Sequence, residues 1–166
     1  MALEHPFFLA GQWRRSDQPL DVISPYDGQV VGTTFYATAA DLEEATLAAQ
    51  EAFAVVRSLP AYERAAILAR IAQGVREQKD NLARLIALEA GKPIRDSAFE
   101  VERAIFTFEM GAEEAKRLGG EVLPLDLMPH ARGKLGIVRR FPIGPVAAIT
   151  PFNFPLNLAA HKVAPA

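Results

Sequence analysis

The sequence predicts an α/β fold in which antiparallel strands and a helical layer precede the first strand–helix unit of a doubly wound, Rossmann-like sheet. Three observations predict it. Strand-like segments flank turn residues before residue 38, and apolar residues recur at helical spacing from there to about residue 118. A short apolar run at residues 146–149 then leads into another helical pattern. One strand–helix unit cannot complete such a sheet, so the sheet is expected to be incomplete.

Two hairpin signals occur in the first third of the chain. Residues 7–9 and 12–14 flank Ala10 and Gly11, and glycine readily adopts the positive φ that a tight turn requires. Residues 20–24 and 29–36 flank a Pro-Tyr-Asp-Gly turn. We expect antiparallel strands here that pack on something larger, because isolated hairpins bury little surface.

Four helices are predicted in the middle of the chain. Thr38 and Asp41 resemble a capping box at the start of the first helix, which ends before Pro60. The second begins near residue 61, the third closes at Gly91, and the longest ends at Gly119 and Gly120. Their apolar stripes are interpreted as packing faces, because such stripes are far more often core than cofactor contacts. The stripe of the longest helix contains Ile94, Ala98, Val101, Ile105, Phe108, Ala112 and Ala115.

The last part of the chain mixes loop, strand and helix signals. A loop is predicted after Pro124, and residues 134–141 alternate loosely, as a half-exposed strand would. Residues 146–149 are apolar without interruption, which predicts a strand buried on both faces. A final helix is expected from Pro155, because proline fits the first helical position.

The composition excludes several classes of function. Half of the residues are hydrophobic, 23% are charged and the net charge is -2, so there is no positive field to attract nucleic acid. No apolar run approaches the roughly 20 residues that span a bilayer, and the start lacks signal-peptide features, which predicts a cytoplasmic protein without a membrane partner. There are no cysteines, which excludes a thiol nucleophile and a cysteine-ligated metal within this chain, and no metal site is predicted.

The turn at residues 150–155, Thr-Pro-Phe-Asn-Phe-Pro, is the candidate functional segment. In doubly wound sheets, ligands bind just beyond the carboxyl ends of the strands. The turn is not a glycine-rich phosphate loop, and no dinucleotide or Walker fingerprint follows the predicted strand. From the residues alone, an asparagine such as Asn153 more commonly bonds to its own turn, a lone histidine such as His161 is more commonly a surface or packing residue, and Lys162 could be a solvated helix lysine.

The segment from Ile149 to Leu158, continuing to Ala166, resembles the strand–turn–helix signature of the aldehyde dehydrogenase superfamily. Residues 89–93 (Glu-Ala-Gly-Lys-Pro), residues 141–146 and the Gly-Gln-Trp at residues 11–13 support the resemblance. It extends over essentially the whole chain and is to the N-terminal part of longer family members. The resemblance implies that residues 1–132 belong to the cofactor-binding domain. It implies that residues 133–144 form an oligomerisation-arm strand, and that residues 145–166 begin the dinucleotide-binding sheet.

The resemblance also implies roles for residues in and around the turn. Asn153 would act in catalysis, because its side-chain amide matches the oxyanion-hole donor of the family, which works with the backbone N–H of the catalytic cysteine. The residues expected to border NAD or NADP are Ile149, Thr150, Pro151, Phe152 and Asn153.

Further side chains are assigned to the substrate and to proton or water positioning. Phe154, Leu158 and His161 match the wall of the aldehyde tunnel, and Lys162 matches a lysine near the reaction centre. Arg117, at the end of the longest helix, is a candidate contact for an acidic substrate.

The implied function is oxidation of a small aldehyde to a carboxylic acid through a cysteine thioester by a homo-oligomer, a dimer or a tetramer. This chain alone is predicted to be inactive, since the catalytic cysteine and glutamate are absent from it. The alternative is a short non-catalytic binding or assembly module derived from the same fold. Neither the aldehyde nor the choice between NAD and NADP can be predicted from these residues.

Overall fold

The computed structural model describes residues 3–166. Within them the chain forms small sheets and five helices. The strands are β1 (Leu3–Glu4), β2 (Phe7–Leu9), β3 (Gln12–Arg14), β4 (Pro19–Ile23), β5 (Val30–Phe35), β6 (Glu121–Pro124) and β7 (Leu135–Val138). The helices are α1 (Ala39–Val56), α2 (Ala61–Glu77), α3 (Lys79–Ala90), α4 (Ile94–Ala115) and α5 (Pro155–Val163).

The two predicted hairpins are confirmed. Strands β2 and β3 pair antiparallel through a turn in which Gly11 has φ 85°, and the Phe8 and Trp13 rings lie edge to face at 5.1 Å. Strands β4 and β5 also pair antiparallel. One addition was not predicted: β1 pairs parallel with the other edge of β5, which gives the order β1-β5-β4.

The four helices of the middle section are confirmed, and so are their local signals. The hydroxyl of Thr38 accepts the Asp41 N–H at 3.2 Å, and the Asp41 carboxylate accepts the Thr38 N–H at 2.8 Å, which completes the capping box. Gly91 follows α3 with φ 65°, the left-handed conformation that ends many helices. No helix in the described part of the chain has both the length and the apolar character needed to cross a membrane.

We expect Gly91→Ala to destabilise the fold by at least 1–2 kcal/mol, because the left-handed conformation is unfavourable for alanine. A Cβ at this position would also lie 2.8 Å from Cγ of Pro25. Gly74→Ala is the matched control, since Gly74 is exposed in α2 with open space around it, and it should stabilise by about 0.5–1 kcal/mol. Chemical denaturation measures both changes. Equal effects of the two substitutions would show that Gly91 has no special conformational role.

Helix α4 lies at the centre of the core. It packs against α2, α3 and α5, and its Val101 and Ala104 are completely buried. The same face buries Ile105, Phe108, Ala112 and Ala115, as the predicted stripe required. Ile94, at the first turn, belongs to that stripe in sequence but is 59% exposed. The prediction that it packs in the core is therefore wrong.

A β-hairpin follows α4, and the loop predicted after Pro124 joins its two strands. The strand signal at residues 134–141 is confirmed as β7, which pairs antiparallel with β6. β6 was not predicted, because its residues are exposed and show no alternation between a buried and a solvent face. The hairpin exposes apolar side chains, among them Leu135 and Ile137.

The predicted buried strand at residues 146–149 is wrong for this chain. These residues form no strand, all four are exposed, and Val146 and Ile149 are 62% and 87% exposed. A strand needs a hydrogen-bonded neighbour, and each of the three sheets in residues 3–166 is formed by other segments. Of the predicted strand–helix unit only α5 is observed, with Pro155 at its start.

Candidate active site

The candidate site is the turn at residues 150–154, which enters α5. Thr150 is half-buried, whereas Pro151, Phe152 and Asn153 are exposed. Phe154 is the N-cap of α5, with φ -140° and ψ 76°, and its ring is partly covered. The turn therefore presents the Asn153 amide to the surface directly before a helix start.

A carboxylate from another helix completes the start of α5. Phe154 supplies no side-chain cap, so the first N–H groups of α5 need another acceptor. Glu100 of α4 provides it: its Oε1 accepts the Leu156 N–H at 3.0 Å and the Asn157 N–H at 3.2 Å. The negative charge also complements the positive end of the helix dipole.

Lys92 pairs with the same carboxylate. Its Nζ lies 2.6 Å from Oε2 of Glu100, whose side chain is 0% exposed, while the Lys92 side chain is 19% exposed. The ammonium also lies 3.8 Å from the centroid of the Phe154 ring, a cation–π distance. The Arg103 guanidinium lies farther from the same ring, at 5.8 Å.

The structure brings some of the predicted site residues together. The structure leaves all but one of the consecutive residues 149–154 exposed: Thr150 is half-buried, and Ile149 and Phe152 are almost fully exposed. Leu158 is half-buried on the next turn, and its N–H donates to the Phe154 carbonyl at 3.0 Å. His161 and Lys162 are exposed in the last turn of α5.

Arg117 is not brought to the turn. Helices α4 and α5 run side by side in the same direction: Glu100 contacts the start of α5, and Gly111 lies against Ala164 at its end. Arg117 lies beyond that end, is exposed, and pairs with Glu114 one turn earlier. This position does not favour contact with a substrate bound at the turn, so its role stays a prediction.

Three features bear on which ligands the site could hold. Residues 3–166 contain no group of three side chains suited to binding a metal ion. Ile149, Pro151 and Phe152 are exposed beside the half-buried Thr150, and the Asn153 amide can donate a hydrogen bond. A cavity of about 730 Å³ lies elsewhere, between Arg57, Arg64, Arg139 and Arg140, and no residue of the turn lines it.

Comparison with known proteins identifies the family. The model of the aldehyde dehydrogenase family matches residues 13–166, and the chain belongs to that family. Its helices and small open sheets match the N-terminal part of the family fold.

Individual members of the family match almost the whole of this chain. The chain is 42% identical over 159 residues to a lactaldehyde dehydrogenase of Methanocaldococcus jannaschii, a match that covers 96% of this chain and 33% of the relative. The crystal structure of aldehyde dehydrogenase 21 from Physcomitrella patens, in complex with the reaction product succinate, superposes with a TM-score of 0.95 at 40% identity. That match covers 99% of this chain and 34% of the other.

A third relative was solved with a cofactor. The glyceraldehyde-3-phosphate dehydrogenase of Methanocaldococcus jannaschii, complexed with NADP, superposes with a TM-score of 0.82 at 42% identity, over 91% of this chain and 31% of that one. The chain thus spans about a third of the length of the relatives that it matches.

Proposed function

We propose that this chain provides the N-terminal part of an NAD(P)-dependent aldehyde dehydrogenase that oxidises an aldehyde to a carboxylic acid. The observation that carries the proposal is the turn at residues 150–154. It presents an exposed Asn153 amide directly before a helix whose start is fixed by a buried carboxylate, in a chain of the aldehyde dehydrogenase family.

Asn153 is the residue of this chain that acts on the reacting carbonyl. When a thiolate adds to an aldehyde, the carbonyl oxygen becomes an anion, and a fixed amide N–H stabilises that charge far more than it stabilises the neutral aldehyde. The thiolate must come from outside these residues, because the chain has no cysteine. Loss of hydride from the adduct gives a thioester, and water then releases the carboxylic acid.

The cofactor is NAD or NADP, whose nicotinamide accepts the hydride. Residues Ile149 to Asn153 border it, because they are contiguous with the Asn153 amide and all of them except Thr150 are exposed. The relative that was solved with NADP supports a nicotinamide cofactor at this fold. An assay with each cofactor in turn decides between NAD and NADP.

Side chains on α5 face the substrate. Phe154 and Leu158 border the aldehyde, and His161 with Lys162 lies one turn further along the same helix, where Lys162 helps to position water or to relay a proton. Arg117 is a more distant candidate for an acidic substrate. The relatives act on lactaldehyde and glyceraldehyde-3-phosphate, which are small oxygenated aldehydes, and this favours a small aldehyde here.

The β6–β7 hairpin supports assembly of the full protein. It exposes Leu135 and Ile137 on a two-stranded sheet, and such exposed apolar strands are typical of association surfaces. Residues 133–144 therefore act as the oligomerisation arm of a dimer or a tetramer. The compartment in which the protein works is proposed to be the cytoplasm.

The test is enzymatic. The full protein encoded by the gene is incubated with NAD or NADP and with lactaldehyde, glyceraldehyde-3-phosphate and simple aliphatic aldehydes. Absorbance measures the reduced nicotinamide, and chromatography measures the acid. We expect one acid per reduced cofactor for at least one aldehyde. The 166-residue chain alone is the control, and it should give neither product because it lacks a thiol. No reduction by the full protein with any of these aldehydes would contradict the proposal.

A further inference from the structure

We propose that the Lys92–Glu100 pair is a positioning pair for catalysis, which holds the Phe154 ring before Pro155 and the backbone after it and so places the amide of Asn153. The inference rests on the proposed function of Asn153. It concerns Lys92, in the loop before α4, and Glu100, within α4. Neither residue belongs to the turn.

The start of α5 is held by a residue from outside that helix. A helix whose N-cap residue bonds to its own first turn is positioned by its own sequence. Here the N-cap, Phe154, makes no such bond, and the acceptor is Glu100, 56 and 57 residues earlier than the two N–H groups that it binds. The start of α5 is therefore positioned relative to α4.

The residue immediately after Asn153 is held by the same pair. The Phe154 ring lies under the Lys92 ammonium at 3.8 Å, and the same ammonium lies 2.6 Å from Glu100. One ion pair thus contacts the ring of Phe154 and, through Glu100, the backbone of Leu156 and Asn157. Asn153 lies between this fixed segment and Phe152, which is 92% exposed.

The ionic character of the pair favours positioning over stability as its role. Burying a salt bridge gains little stability compared with an apolar pair of similar size, because both charges lose their hydration. Hydrogen bonds to a carboxylate are directional, however, and fix a helix start more precisely than apolar contacts do. Misplacing a reacting group by about 1 Å can lower a rate by about a hundredfold, so a group that fixes the turn has a direct effect on catalysis.

The experiment compares Glu100→Ala and Glu100→Gln in the full protein. The control is Glu102→Ala, which removes an exposed carboxylate of the same helix that pairs with Lys79 at 2.6 Å. Hydrogen–deuterium exchange is followed in peptides that cover residues 153–160. The kcat, the aldehyde KM and the dissociation constant of the cofactor are measured in parallel.

We expect Glu100→Ala to speed exchange at residues 153–160 and to lower kcat by about ten- to a hundredfold, with a change of less than about threefold in cofactor binding. Glu100→Gln should recover part of kcat, because its amide oxygen still accepts the two N–H groups. The control should match the wild type in every measurement. If Glu100→Ala does not fold, Glu100→Gln decides instead: because it loses the ion pair with Lys92, it should still speed exchange at residues 153–160 and lower kcat, by less than the alanine variant would.

Two results would overturn the inference. One is unchanged exchange at residues 153–160 in the Glu100 variants, which would mean that the pair does not hold the turn. The other is faster exchange with kcat equal to that of the control, which would make the pair structural only. A wild-type protein without any dehydrogenase activity would instead refute the proposed function, and the exchange data would still decide whether the pair holds the turn.

Discussion

Replacing Asn153 with alanine in the full protein is expected to lower kcat by about 10²- to 10³-fold, equivalent to roughly 3–4 kcal/mol of transition-state stabilisation. The amide is exposed in this chain, and in the proposed role it donates to charge that develops only during the reaction, so cofactor binding should change little. Steady-state kinetics gives kcat and KM, and fluorescence titration gives the dissociation constant of the cofactor.

Asn81→Ala is the control for this substitution, because Asn81 is an exposed asparagine of α3 whose amide donates to the Gln78 side chain. It should leave kcat unchanged. A variant at position 153 with a near-normal kcat and a raised KM would show that Asn153 is a binding residue, and its assignment to the oxyanion would then be wrong.

The second large effect concerns stability. Lys92→Met should destabilise the protein by about 3 kcal/mol or more, because it leaves the completely buried Glu100 carboxylate without a counter-charge. Lys79→Met is the matched control. It breaks the more exposed pair with Glu102 and should cost less than about 1 kcal/mol.

The double variant Lys92→Met with Glu100→Gln separates the causes. It removes both charges and keeps an acceptor for the α5 backbone, so it should be more stable than Lys92→Met alone. Chemical denaturation of the wild type and of these three variants measures the differences. Equal losses of unfolding free energy in the Lys92 and Lys79 variants would mean that the buried pair behaves like a surface pair. The buried Glu100 carboxylate would then not need Lys92 as its counter-charge.

The helices could be predicted because their signals are local. The capping box at Thr38, the left-handed glycine at position 91 and the stripe around Val101 each act within a few residues along the chain. The same holds for the two N-terminal hairpins, whose turns are encoded by neighbouring residues. The motif at residues 150–155 was also visible, because its residue types are contiguous.

The strand predicted at residues 146–149 shows where local signals fail. An apolar run is compatible with a buried strand, but whether it becomes one depends on hydrogen-bonded neighbours from elsewhere in the chain. The same reasoning explains the missed β1 and β6. Each is short and exposed, and each becomes a strand by pairing with β5 or β7.

The Lys92–Glu100 pair was not predicted either. Glu100 directly precedes Val101 of the apolar stripe of α4, and a glutamate there is ordinarily a solvated side chain at the edge of a helix face. Its burial depends on α5, which packs on α4 from more than fifty residues away. The available signal was a glutamate, Glu100, beside a core stripe, with Lys92 eight residues earlier. A sequence pattern of this kind does not show that the two side chains pair at the start of another helix.

The most direct test of the proposed catalytic role is a crystal structure of the full protein with NAD or NADP and an aldehyde or its acid product bound. We predict that the Asn153 side-chain nitrogen lies about 2.7–3.1 Å from the substrate oxygen, and that residues 149–152 border the nicotinamide. Glu100 should still accept the N–H groups of Leu156 and Asn157, as it does in this chain. A bound substrate whose oxygen lies far from Asn153, with that side chain directed into solvent, would contradict the proposal.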